Sequence, residues 1–360
     1  MQRKLNFFAG PSVMPLEVLH QLQDGILEYN GQGLSIIETS HRSSVFDGMY
    51  NECLALLREL LGISDEYSVY FLGGGATLQF AMVPMNFLRP DTAADYIKSG
   101  AWGNKAASDA EKIGRVRYYY DGTADRYTTL PRPEEVKAGE DSSYLYLCSN
   151  ETIGGIQWKA FPDTGTVPLI ADMSSDFFSR PVPVDQFSMI YAGVQKNLGP
   201  AGATVVIMKK SLLDKQNHNL PAYLDYSNHD KNDGLYNTPP VFSIWAVKLV
   251  LEWIKKNGGV EGMAKRAALK SGLLYNVIDS SSFFYSPVDP AYRSTMNVVF
   301  RLPSEELEAA FLEETKKAGM LGLKGHRSVG GLRASIYNAL PVEDVEALAN
   351  LMKEFERKNG

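Results

Sequence analysis

The sequence predicts an α/β protein: a large domain with a mostly parallel sheet flanked by helices, then a smaller α+β C-terminal domain. Three observations lead there. Short, nearly continuous apolar runs alternate with helix-period segments through most of the first 250 residues. Strands that lack a polar alternation belong to sheets covered on both faces, which are mostly parallel. At 360 residues the chain is longer than one hydrophobic core usually supports. Beyond Asn257 the pattern changes, so the domains are expected at 16–257 and 258–360, with residues 1–15 joining the second.

The elements follow in order. Val69-Tyr70-Phe71-Leu72 reads as a strand ending at Gly73-Gly74-Gly75, and Ala76 to Phe87 as a helix. Ala94 to Ile97 is a second strand, followed by Ser99-Gly100-Ala101-Trp102-Gly103 and a helical stretch through Lys112. Tyr144–Cys148, Pro168–Asp172, Ser188–Ala192 and Ala203–Met208 complete the strands of the large domain. Phe242 to Asn257 reads as a long helix with Ile244, Val247, Leu251 and Ile254 on one face, ended by Gly258-Gly259. The second domain then shows a strand at Asn297–Leu302, a helix at Glu305–Ala318, a glycine-rich stretch and a short strand at Leu332–Ile336. Its last helix, Val342–Phe355, has Pro341 just before it and Glu343-Asp344 in its first turn, as the helix dipole favours.

Bulk properties narrow the function. A composition of 44% hydrophobic and 22% charged residues is that of an ordinary soluble globular protein. The net charge of −6 argues against nucleic acid as a general partner, so an anionic ligand must be drawn by a local basic site. Cys53 and Cys148 form neither a disulfide framework nor a metal cluster, and the five histidines, His20, His41, His218, His229 and His326, lack the spacing of a zinc helix. No apolar run is long enough to span a bilayer, and the N-terminus lacks the apolar segment of a signal peptide, which leads to a cytoplasmic expectation.

In parallel sheets ligands sit beyond the carboxyl ends of the strands, so the residues there are the ones to weigh. One strand ends in Asp172, and another leads into Val194-Gln195-Lys196-Asn197-Leu198-Gly199-Pro200. A lysine and an acid on successive strand ends can face opposite sides of a flat ring, as a pyridoxal cofactor requires. Spacing alone equally fits a surface lysine and an aspartate opening a loop. Gly73-Gly74-Gly75-Ala76-Thr77, between a strand and a helix, is a plausible phosphate cradle, although it has neither Walker nor dinucleotide spacing. Trp102 can stack on an aromatic group or simply pack, and Asn150-Glu151-Thr152 offers a hydroxyl at the same rim. Asn237-Thr238 ahead of a helix also fits an N-cap turn. His41-Arg42, His326-Arg327 and Arg333 lie in polar, loop-like surroundings; arginine forks bind carboxylate and phosphate bidentately, although each alone also fits a solvated charge.

Taken together, these residues resemble the phosphoserine aminotransferases, fold-type I pyridoxal-phosphate enzymes of the class V aminotransferase group. The resemblance runs from Asn6-Phe7-Phe8-Ala9-Gly10-Pro11 to the last helix. It is most specific at Ser40-His41-Arg42-Ser43, Gly73 to Phe80, Ala192 to Gly202 and Gly325-His326-Arg327-Ser328-Val329-Gly330-Gly331. It implies that the large domain binds pyridoxal phosphate. Lys196 would hold the cofactor covalently and shuttle the proton, and Asp172 would pair with the pyridinium nitrogen. Trp102 would stack on the ring, and Thr152 would bond its phenolic edge. Ala76, Thr77 and Gln195 would hold the cofactor phosphate, reached from the second subunit of a homodimer by Asn237 and Thr238. Some members carry arginine where Thr77 stands; a backbone contact there tolerates the change. Arg333 would take the substrate α-carboxylate, and His41, Arg42, His326 and Arg327 the distal phosphate or the glutamate γ-carboxylate. The implied reaction passes an amino group from glutamate to 3-phosphohydroxypyruvate in serine biosynthesis, giving O-phosphoserine and 2-oxoglutarate. Many bacterial members also act on 4-phosphohydroxythreonine, on the route to pyridoxal phosphate.

Three rivals share the fold. A cysteine desulfurase needs a nucleophilic cysteine on a mobile loop, whereas Cys148 reads as part of an apolar strand and Cys53 as part of a helix-period segment. An aminotransferase for small unphosphorylated substrates has no use for two His-Arg pairs. A non-catalytic module would not need both Lys196 and Asp172.

Overall fold

The computed structural model of the chain describes residues 3–217, 219–327 and 329–360. His218 and Ser328, named above among the histidines and in the Gly325–Gly331 motif, lie outside the described residues. The main sheet is built from β1 (Tyr67–Leu72), β2 (Ala93–Lys98), β3 (Val116–Asp121), β4 (Ser142–Cys148), β5 (Leu169–Asp172), β6 (Met189–Gly193) and β7 (Thr204–Lys209). Its order is β1-β7-β6-β5-β4-β2-β3, with β7 antiparallel to both of its neighbours and the other pairings parallel. The exception has a local cause. β6 and β7 are joined by a short connection that folds back on itself, whereas parallel neighbours require a crossover.

Along each inner strand, successive side chains alternate between two apolar layers. Leu145, Leu147, Ile190, Val205 and Ile207 face the layer formed with the helices Ser44–Leu61 and Val241–Lys256. Tyr144, Tyr146, Tyr191, Val206 and Met208 face Phe80 of the helix Gly75–Phe87 and Ala106 of the helix Ala101–Ala110. Burial on both faces is why these strands read as unbroken apolar runs. A separate cluster joins Phe7, Leu274, Val298, Phe311 and Leu348 around the antiparallel pair Asn297–Phe300 and Leu332–Ser335.

Several elements escape the sequence reading, the helix Leu16–Leu27 among them, and two show the physical reason. β3 pairs only with β2 and carries an exposed or half-buried face, so its polar Arg117 and Asp121 hide its strand character. Arg117 crosses to β2, its Nε donating to Asp95 Oδ1 at 2.5 Å. The other is a helix at Gly259–Ser280, which begins just where Gly258-Gly259 reads as a stop. Both glycines take positive φ, +91° and +67°, and turn the chain directly from one helix into the next. The buried stripe of that helix includes Lys270 and Ser271, which interrupt its apolar period.

Candidate active site

Because β1, β2, β4, β5 and β6 run parallel, their carboxyl ends converge on one edge of the sheet. Asp172 is the last residue of β5 and lies in register with Tyr191 of β6. Three residues beyond β6, Lys196 sits on a tight turn in which the Leu198 and Gly199 N–H groups both donate to Val194 O, at 3.1 and 2.9 Å. The N-terminal segment braces this turn from outside. Ser12 N–H donates to Gln195 O at 3.0 Å, the Ser12 hydroxyl donates to Lys196 O, and Gly10 packs against the Lys196 stem.

One cavity collects Gly75, Ala76, Thr77, Trp102, Thr152, Asp172, Gln195 and Lys196, together with Cys148, Asn150, Ser174 and Ser175. Lys196 Nζ donates to Thr152 Oγ1 at 2.8 Å and stands 5.6 Å from the Trp102 ring centroid. Asp172 is buried, and its Oδ1 accepts the Ser174 N–H at 2.8 Å. Burial pushes its carboxyl above the usual range, opposed by the Ser174 hydrogen bond and the Lys196 charge. Gly74 and Gly75 enter the helix Gly75–Phe87 at φ +85° and +65°, leaving the N–H groups of its first turn at the cavity wall.

Arg333 lies on the strand Leu332–Ser335, and its guanidinium donates to Thr152 O at 3.3 Å. Its Nε is buried without a protein partner, and burial lowers its pKa. His326 and Arg327 are exposed on the loop preceding that strand. His41 and Arg42 lie in the turn before the helix Ser44–Leu61 and do not line the cavity. Neither do Asn237 and Thr238, which are exposed ahead of the helix Val241–Lys256 and do not cap it: its N-cap is Pro240, with no side-chain hydrogen bond. The alternative N-cap reading of that pair is thereby set aside.

Cys148 belongs to an apolar strand, as its sequence reading has it, but also reaches the cavity. As the final residue of β4 it lines the cavity, yet it is buried, and burial drives its thiol far above the ordinary range. A thiol so disfavoured as thiolate is a poor nucleophile. Ser174, Ser175 and Asn150 are contributors that sequence reasoning did not single out. Asn150 Nδ2 donates to Ser175 Oγ at 2.6 Å and to Asn297 Oδ1 at 2.8 Å, tying the cavity floor to the second apolar cluster's sheet. The only available signal for the serines is their place directly after Asp172.

Comparison with known proteins agrees with this geometry. A family model described as aminotransferase class-V matches residues 4–348. The chain is similar to a phosphoserine aminotransferase of Bacillus cereus, 49% identical over 359 residues and covering 100% of both chains. A phosphoserine aminotransferase of Herpetosiphon aurantiacus is 49% identical over 356 residues, covering 99% of each. Among solved structures, phosphoserine aminotransferase from Bacillus circulans subsp. alkalophilus superposes with a TM-score of 0.98 at 49% identity over 100% of both chains. A PLP-bound phosphoserine aminotransferase from Trichomonas vaginalis gives 0.92 at 37% identity, covering 98% of this chain and 100% of that one. With a match across nearly the whole length, and with this lysine and aspartate at the sheet's carboxyl edge, the chain belongs to the class-V aminotransferase family.

Proposed function

We propose that the protein is a pyridoxal-phosphate-dependent phosphoserine aminotransferase, exchanging an amino group between glutamate and 3-phosphohydroxypyruvate. The observation that carries the cofactor reading is the convergence of Lys196, the buried Asp172 and the Trp102 ring on one cavity beside a glycine-headed helix start. These residues fit the group. The lysine amine is held by a single hydroxyl, the carboxylate is buried where a ring nitrogen would face it, and the Trp102 Nε1 and Arg333 Nε atoms lie buried without protein partners. When bound, pyridoxal phosphate supplies an electron sink that stabilises negative charge on the substrate α-carbon.

The chain's own groups would do the rest. Lys196 Nζ, steadied by Thr152, is the base that takes and returns the α-proton. Asp172 would keep the ring nitrogen protonated by its negative charge. Ala76, Thr77 and Gln195 would hold the cofactor phosphate. Arg333 would orient the substrate α-carboxylate, using the fork that already reaches Thr152 O. His326 and Arg327 would face the distal phosphate or γ-carboxylate, with His41 and Arg42. Asn237 and Thr238, exposed and outside the chain's own cavity, would complete the phosphate site of a second subunit in a homodimer. In this reading residues 16–257 form the large cofactor domain, 258–360 with 1–15 form the small one, and the enzyme is cytoplasmic. Among the described residues no helix is long and apolar enough to cross a membrane, and no His/Cys/Asp/Glu group suits a metal ion.

The test is an absorbance spectrum of the purified protein with added pyridoxal phosphate, followed by a glutamate-dependent assay with 3-phosphohydroxypyruvate. A visible band and turnover are expected. Absence of the band would overturn the cofactor reading. A band without turnover on the phosphorylated acid would overturn the substrate.

A further inference from the structure

The short stretch Ser99-Gly100-Ala101-Trp102-Gly103 contains more glycine than a tryptophan mount requires, and the structure gives the reason. Glu151 has no exposed surface. It ends the two-residue strand Asn150–Glu151, and its side chain reaches the start of the helix Ala101–Ala110. There Glu151 Oε2 accepts the Trp102 N–H at 3.0 Å, and Oε1 accepts the Gly103 N–H at 2.8 Å. The Ser99 hydroxyl donates to Oε1 at 3.4 Å.

The N-cap of that helix is Gly100, which has no side chain with which to satisfy those first-turn donors. The glutamate does so from a separate segment, and a carboxylate at the positive end of the helix dipole is well placed electrostatically. Two glycines make room for it. A Cβ on Gly100 would meet Glu151 Cδ at 2.6 Å, and one on Gly103 would meet Ile97 O at 2.9 Å and Glu151 Oε1 at 3.3 Å. The carboxylate is therefore held by two backbone N–H groups and the Ser99 hydroxyl, in space that Gly100 and Gly103 leave open for it.

What this grip holds is the cavity itself. Trp102, one of the two donors, turns its ring toward Lys196 Nζ at 5.6 Å. The residue directly after Glu151 is Thr152, whose hydroxyl receives Lys196 Nζ at 2.8 Å. One side chain thus joins the backbone of the aromatic wall to the backbone of the hydroxyl wall. Burial pushes its carboxyl up to about 7, while the two backbone N–H groups hold it down.

We infer that Glu151 is a positioning residue, which locks the Trp102 ring and the Thr152 hydroxyl in one fixed relation across the cavity, with Gly100 and Gly103 shaped to admit it. The inference rests on the cofactor reading above. It assigns Glu151 no contact with substrate or reacting atoms. Its effect runs through the pose of the ring that would cover the cofactor.

The test compares Glu151→Gln with wild type. The amide keeps the size but offers one acceptor to two donors, so one backbone N–H loses its partner and faces an NH2 group. Pyridoxal phosphate is titrated into the apo protein, and its dissociation constant and the visible circular dichroism of the bound cofactor are measured. Losing a hydrogen bond to a carboxylate should weaken binding roughly tenfold or more and change the induced dichroism. Gly100→Ala, which leaves Glu151 intact but crowds its Cδ, should produce the same signature, so the inference stays testable if Glu151→Gln does not fold. The control is Asp95→Asn, a second buried carboxylate, which accepts the Gly139 N–H at 2.8 Å away from the cavity. It should lower Tm while leaving affinity and dichroism alone. Wild-type values in folded Glu151→Gln, or in Gly100→Ala, would overturn the inference. So would a control that reproduces both changes, because the role would then be general stability. A wild-type protein that forms no visible band would instead overturn the cofactor reading on which the inference stands.

Discussion

Replacing Asp172 by Asn separates charge from shape more cleanly than any other change in the cavity. Asp172 is only 4% exposed, and its Oδ1 accepts the Ser174 N–H at 2.8 Å. An asparagine carbonyl can accept that same hydrogen bond, so the local turn survives and only the charge is lost. Burial already raises the carboxyl pKa, which means that folding opposes its ionised form. The apo variant at pH 7 should therefore be at least as stable as wild type, to within about 1 kcal/mol. Catalysis should respond in the opposite direction. If Asp172 faces the cofactor's ring nitrogen as proposed, that nitrogen would no longer be held protonated, and losing one charge-assisted hydrogen bond should cost about 2–4 kcal/mol. That corresponds to a single-turnover rate with glutamate reduced on the order of tens to hundreds-fold. Stopped-flow absorbance in the glutamate half-reaction measures the rate, and denaturant melts of the apo protein measure the stability. An unchanged single-turnover rate would remove Asp172 from the chemistry. A stability loss of several kcal/mol would show that the carboxylate is structural and that the rate reports misfolding.

Other consequences are open to direct measurement. If Asn237 and Thr238 complete a neighbouring site, mixing Lys196→Ala protein with the Asn237→Ala, Thr238→Ala double variant under subunit exchange should restore activity, since one site of each heterodimer carries neither lesion; no recovery despite demonstrated exchange would count against shared sites. Arg327→Ala should weaken 3-phosphohydroxypyruvate by about 2–4 kcal/mol and glutamate by less, whereas Arg333→Ala should harm both alike, because both present an α-carboxylate. The comparison is kcat/KM for each half-reaction, and equal losses in Arg327→Ala would sink the phosphate assignment. Lys270 is fully buried, donates to Tyr337 O at 2.6 Å and to Leu340 O at 3.1 Å, and is lowered by burial to about 7. Between pH 7 and 10 the unfolded chain keeps that proton while the folded one releases it, so rising pH favours folding through this group. The stability difference between wild type and Lys270→Met should therefore move in favour of wild type by a few kcal/mol across that window, and a flat difference would refute the assignment.

What was legible from residues alone follows a physical divide. Strands buried on both faces announce themselves, because their central positions must be apolar on either side; β4, β5, β6 and β7 are of this kind. Residues immediately beyond such strands could be named as candidates because a parallel sheet gathers its carboxyl ends at one edge, and this is how Asp172 and Lys196 came into view. Elements with a mixed environment were hidden. β3, at the sheet edge, satisfies one side with solvent and a salt bridge to Asp95, so Arg117 and Asp121 break its apolar run although Val116 and Tyr118–Tyr120 are strand formers. The helix Gly259–Ser280 places a lysine in its buried stripe, and only three-dimensional packing against the carbonyls of Tyr337 and Leu340 makes that lysine tolerable.

The sequence by itself determined the fold class and the order of most elements, because those depend on periodicity, and it offered Lys196 as a candidate. The tertiary structure alone decided which polar groups share the cavity and how they are held there. Cys148 enters it from a strand end that reads as core, Asn150 spans to Asn297 on a strand of the second cluster, and Glu151 grips a helix 48 residues earlier in the chain. No local pattern encodes such contacts. A buried polar side chain is stable only when distant backbone supplies its partners, and the position of that backbone is a property of the whole packed chain.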